Sequence, residues 1–140
     1  VFLLTDGTPV IGLTLRYDRL DNFWFCLLHE LAHLARHMDD VGNAPFIDDL
    51  SLRSLDRHRA DRREREADAW AEEALVPLAM WLESEVSRTP TPRPRAVSEL
   101  ATRVGVHPAV VAGRVRHETR NYRLLAQFIG NGQVRRQFGL

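Results

Sequence analysis

Cysteine is nearly absent. Cys26 stands alone among 140 residues, so the chain can form no internal disulfide. That fits a reducing, cytoplasmic compartment. No run reaches eighteen apolar residues and no secretory leader is visible, which argues against membrane spans and export. Lysine is missing altogether, so every basic side chain is arginine. Net charge is missing too, at a formal zero, but that balance conceals two unlike halves. Residues 1–86 hold nine Arg against seventeen acids, and residues 87–140 hold ten against two. Such an asymmetry implies halves that meet different partners or dock on each other. Apolar content, at 44%, is ordinary and suffices for the core of one domain.

The apolar runs Val1–Leu4 and Val10–Leu15 flank Thr5-Asp6-Gly7-Thr8-Pro9, the pattern of two short strands joined by a turn. Because the chain begins at Val1 and enters an apolar run at once, it reads as a piece of a longer protein. Asp21 or Asn22 can cap a helix running to about Met38. Residues 39–56 are turn-rich and read as a loop. A second helix is expected over Arg57–Leu75, with Ala67, Trp70, Ala71, Ala74 and Leu75 on one arc. Pro77 breaks it, and Leu78–Val86 can form a short further helix. Residues 87–95 hold three prolines and read as an extended linker. Three helical segments then follow: Val97–Val104, Pro108–Glu118 and Tyr122–Ile129.

The chemistry concentrates in His29-Glu30-Leu31-Ala32-His33. Two histidines four apart on a helix stand one above the other on a single face, the spacing at which two imidazoles can grip one zinc ion. The flanking residues Phe23–Leu28, Leu31, Ala32, Leu34 and Ala35 are apolar, so this helix is expected to be buried. Polar side chains there need satisfaction, and a metal ion supplies it. Zinc lowers the pKa of the water it holds towards neutrality, and Glu30 can take that proton and pass it to a leaving amine. A catalytic zinc site needs a third protein ligand. Asp39 could supply it from a turn after the helix, but Arg36 stands where that turn usually has glycine. Glu64, Glu66, Glu72 and Glu73 could supply it from the second helix. Helical phase alone does not choose among them, and by rotation Glu64 lies nearer the apolar arc than Glu66. The oxyanion of the reaction needs a donor, for which His117, Tyr122, His107, Tyr17 and an Arg are available.

Phe25-Cys26-Leu27-Leu28-His29-Glu30-Leu31-Ala32-His33-Leu34, followed by Glu64-Arg65-Glu66-Ala67-Asp68-Ala69-Trp70-Ala71-Glu72-Glu73-Ala74-Leu75-Val76-Pro77, resembles the ImmA/IrrE-type metallopeptidases. Those proteins pair an H-E-L-x-H helix with a second helix reading E-A-[ND]-x-F-A-x-x-L-L-x-P, and Trp70 replaces the commoner Phe here. The resemblance implies an α+β, zincin-like domain with a short antiparallel sheet and a helical C-terminal unit. It implies a gluzincin-like zinc peptidase in which His29, His33 and Glu66 hold the metal, Glu30 is the general base, and Asp68 is a supporting residue. It also implies a protein substrate, such as a DNA-binding repressor or an antitoxin-like regulator.

Ser98–Arg114 is similar to a helix-turn-helix, with Ala101, Gly105 and Val111 at the usual spacing. The alternative function is therefore a transcription-regulator or antitoxin module, binding DNA or a partner protein, with a structural or idle metal site. His107–His117 is similar to the end segment of longer regulators that carry an N-terminal DNA-binding domain, so DNA could be reached through a preceding region. Against the DNA reading, Gly113 weakens the second helix, and Val110, Val111 and Val115 call for burial. The expected organisation is a catalytic part over 1–86, a linker over 87–95, and a helical unit over 96–140 that packs on the catalytic part. His117 and Tyr122 are the expected catalytic donors from that unit.

Overall fold

The computed structural model describes residues 1–36 and 50–140, with the backbone alone over 50–60. It is mostly helical with one short antiparallel sheet among the described residues, an α+β arrangement. Strands β1 (Phe2–Leu3) and β2 (Pro9–Val10) pair with Phe2 opposite Val10 and Leu3 opposite Pro9. The expected turn joins them: the Gly7 N–H donates to the Leu4 carbonyl at 2.9 Å, and the Leu4 N–H to the Thr8 carbonyl at 2.9 Å. The Asp6 carboxylate accepts the Thr8 N–H at 2.9 Å, and that bond holds the Asp6 carboxyl below its ordinary range. The second strand stops well short of Leu15, because β1 offers only two residues to pair with.

Helix α1 spans Leu20–Arg36. Asp21 sits inside its first turn, where a carboxylate meets the positive end of the helix dipole. Helix α2 spans Leu50–Leu75, so it begins ahead of the expected Arg57. Residues 50–56 contain no glycine or proline to stop it. The rest of the expected loop, with His37 and the alternative ligand Asp39, lies outside the described residues. Past Pro77, helix α3 covers Leu78–Glu83, and a 3-10 turn follows at Val86–Arg88. Helix α4 (Pro94–Val104) starts on a proline and ends at Gly105, whose φ of 83° is the left-handed conformation that glycine adopts without strain. Helix α5 (Pro108–Thr119) is capped by His107, whose Nδ1 accepts the Ala109 N–H at 3.0 Å. The helix expected over Tyr122–Ile129 does not form. Leu125 takes a positive φ of 52°, leaving turns and a 3-10 segment at Ala126–Phe128. A short helix α6 (Gln133–Gln137) follows Gly132.

The chain divides into two compact units. The first comprises Val1–Gly12 and Leu27–Ala71, and the second comprises Leu13–Cys26 and Glu72–Leu140. This division differs from the boundaries read at 86 and 96. The proline-rich segment lies within the second unit, with Val86 and Pro92 buried there. The core of that unit joins Val76, Trp81 and Val86 to Val97, Leu100, Val111 and Val115. The valines of α5 are therefore buried, but against residues 76–86 of their own unit. Among the described residues of the first unit, the fully buried side chains are small: Ala32, Ala67 and Ala71.

Candidate metal centre

Ala32 lies between His29 and His33 on α1, while Ala67 and Ala71 share a face of α2 with Glu64 and Asp68. Side chains this small permit close approach of the two backbones, so short polar side chains can meet. His29 Nε2 and His33 Nε2 stand 3.0 Å apart. The Glu64 carboxylate reaches both, with Oε2 3.1 Å from His29 Nε2 and Oε1 3.1 Å from His33 Nε2. Ligand atoms of His29, His33 and Glu64 all lie within 4.8 Å of one another. Both imidazoles are about 15% exposed, and Glu64 is open to solvent at 58%.

The other face of the His29 ring is held as well. Its Nδ1 lies 2.9 Å from Asp68 Oδ1. A carboxylate can only accept, so Nδ1 carries a proton towards Asp68, which leaves Nε2 as the ring nitrogen that a metal would take. Two imidazole nitrogens and a carboxylate then converge on one small region. Two ligands at ~2.0–2.1 Å from a tetrahedral zinc stand ~3.3 Å apart, close to the separations seen here. The donor set therefore fits the metal that the sequence implied.

Glu66, the expected third ligand, is not in this cluster. It lies with its Oε1 3.5 Å from Arg62 Nε, at 44% exposure. Glu64, one of the glutamates among which helical phase did not choose, stands there instead. The signal in the sequence was the pair Glu64 and Asp68, four residues apart, so that one face of α2 offers two carboxylates to one imidazole. Glu30 follows His29 on α1. Its side chain is 25% exposed, with Oε2 2.5 Å from the Val1 nitrogen.

His117 and Tyr122 belong to the second unit, where both are exposed and line a cavity of about 360 Å³. His107 serves as the cap of α5, and Tyr17 is exposed beside Arg16, whose guanidinium lies 5.6 Å from its ring centroid. Two arginines of α5 have structural tasks. Arg114 donates to the Val76 carbonyl at 3.1 Å and to Glu118 at 2.9 Å, and lies 4.3 Å from the Trp81 ring centroid. Arg116 is buried and donates through Nη2 to the Tyr122 carbonyl, while its Nε and Nη1 have no partner among the described residues. Burial first, and then the charge of Arg19, push its pKa below the ordinary arginine value, against an opposing pull from Asp21.

Helix α5 buries Ala109, Val110, Val111, Ala112, Val115 and Arg116. No described helix is long and apolar enough to cross a membrane. A family model described as the IrrE N-terminal-like domain, of peptidase type, matches residues 2–116. No curated protein and no solved structure matches the chain.

Proposed function

Since the chain belongs to the IrrE N-terminal-like peptidase family, we propose that it is a zinc-dependent peptidase of zincin-like fold and gluzincin type. The observation that carries this reading is the convergence of His29, His33 and Glu64 from two helices. In this reading those three residues hold the zinc, which supplies Lewis acidity for a scissile carbonyl and for water. Asp68 keeps the His29 ring in the tautomer that coordinates. Glu30 accepts the proton of the attacking water and returns it to the leaving amine. His117 and Tyr122 are the proposed donors to the oxyanion. The proposed substrate is a regulatory protein of the cytoplasm, such as a repressor or an antitoxin-like partner.

The test separates chemistry from coordination. Glu30→Gln is expected to cut hydrolysis of a repressor-type substrate by on the order of a hundredfold or more, with zinc content by elemental analysis unchanged. If zinc is lost together with activity, Glu30 is a ligand or a structural residue, and the assignment of the base fails.

A further inference from the structure

We propose that the cavity of the second unit is a binding site for a small organic cation with an apolar or aromatic body, held by Glu72. The cavity measures about 360 Å³, within the ~300–1,000 Å³ range of small-molecule sites. Its apolar wall comes from Phe25, Leu75, Val76 and Val110. Charge decides what such a wall can accompany. Asp21 is answered by Arg19, whose Nε and Nη2 reach its two oxygens at 3.0 and 2.8 Å. Arg114 is answered by Glu118 and by the Val76 carbonyl. Glu72 lines the same cavity, half-buried, and its carboxylate has no hydrogen bond or ion pair among the described residues.

Two helix ends also meet the cavity. The positive end of α1 carries the Asp21–Arg19 pair at its first turn. The negative end of α2 contributes Glu72 and Leu75 from its last turn and adds to the pull on a cation. A half-buried carboxylate beside apolar side chains has lost part of its hydration, and an ammonium or amidinium group restores that loss. An anion would meet the Glu72 charge, and a neutral ligand would leave it unanswered. His117 and Tyr122, the proposed oxyanion donors, also line this cavity, but its charge preference is read without metal and without peptide hydrolysis.

Cys26 lines the cavity and is the only thiol of the chain, so its modification rate reports occupancy. The experiment follows labelling of the intact protein by a colorimetric disulfide reagent. Three probes of one shape are compared: 2-phenylethylamine, 2-phenylethanol and 3-phenylpropanoate. The amine is expected to slow labelling saturably, and the alcohol and the carboxylate to protect about tenfold more weakly or worse. Glu72→Gln is expected to weaken the amine by about tenfold or more. The proposal is overturned if the carboxylate protects as well as the amine, if Glu72→Gln leaves amine protection unchanged, or if no probe protects saturably up to ~10 mM. Because the three probes read the charge preference on the unaltered protein, a variant that failed to fold would not remove the test.

Discussion

Two residues along a helix is a rotation of about 200°, and that rotation separates Glu64 from Glu66. Four residues is a rotation of about 40° past a full turn, which keeps Asp68 above Glu64. With Asp68 Oδ1 at 2.9 Å from His29 Nδ1, the face of α2 towards the histidines includes Glu64 and leaves Glu66 on the opposite side, beside Arg62. Glu64→Ala is therefore expected to lower zinc affinity by on the order of a hundredfold or more, and Asp68→Ala by ~10–100-fold. Glu66→Ala is expected to change it by less than about threefold, within the range of a remote surface charge. Calorimetric zinc titration of the three variants checks this, and a larger loss in Glu66→Ala than in Glu64→Ala would return the ligand role to Glu66. That His29 and His33 come together was legible in the sequence because their relation is local, set by one helical turn. Which glutamate stands beside them was not, because four glutamates on α2 differ only in phase towards a helix whose placement the sequence does not state.

Among the elements, α5 depends on a missing side chain. A Cβ on Gly113 would lie 2.6 Å from the Asp21 Cβ and 2.9 Å from its Oδ2. The nearer of these atoms is fixed to the α1 backbone, so it cannot swing aside. Gly113→Ala, favourable for an isolated helix, is expected to destabilise the protein by about 1–3 kcal/mol through overpacking, measured by urea unfolding. An increase in stability would mean that α1 and α5 can part without cost. The glycine that weakened the case for a recognition helix thus has a packing role. Other elements were legible from local chemistry: the turn at Asp6-Gly7, the proline start of α5 and the left-handed end of α4 at Gly105. The segment 122–129 was not. Its residues suit a helix, but Leu125 leaves the helical region at φ 52° and is buried at 8% exposure, so tertiary packing overrides local preference.

At the scale of the molecule, the charge reversal near residue 87 falls within the second unit, which draws on Leu13–Cys26 and on Glu72–Leu140. A fragment of residues 96–140 lacks Val76, Trp81 and Val86 from its core. It is expected to show little cooperative unfolding by circular dichroism and no DNA affinity above the non-specific level. A fragment that folds alone, with DNA affinity falling steeply in added salt, would favour the regulator reading. The two-unit division also gives the protein an internal optical label. Trp81, 4% exposed with the Arg114 guanidinium 4.3 Å from its ring centroid, belongs to the second unit, and half-buried Trp70 belongs to the first. Trp24, at 42% exposure, can be changed to Phe to darken the background. With Trp70 or Trp81 then kept singly, emission colour follows one unit at a time during heating. Stripping zinc with a chelator is expected to lower the midpoint seen by Trp70, since a metal bound only by the folded form adds to its stability. The midpoint seen by Trp81 is expected to move less.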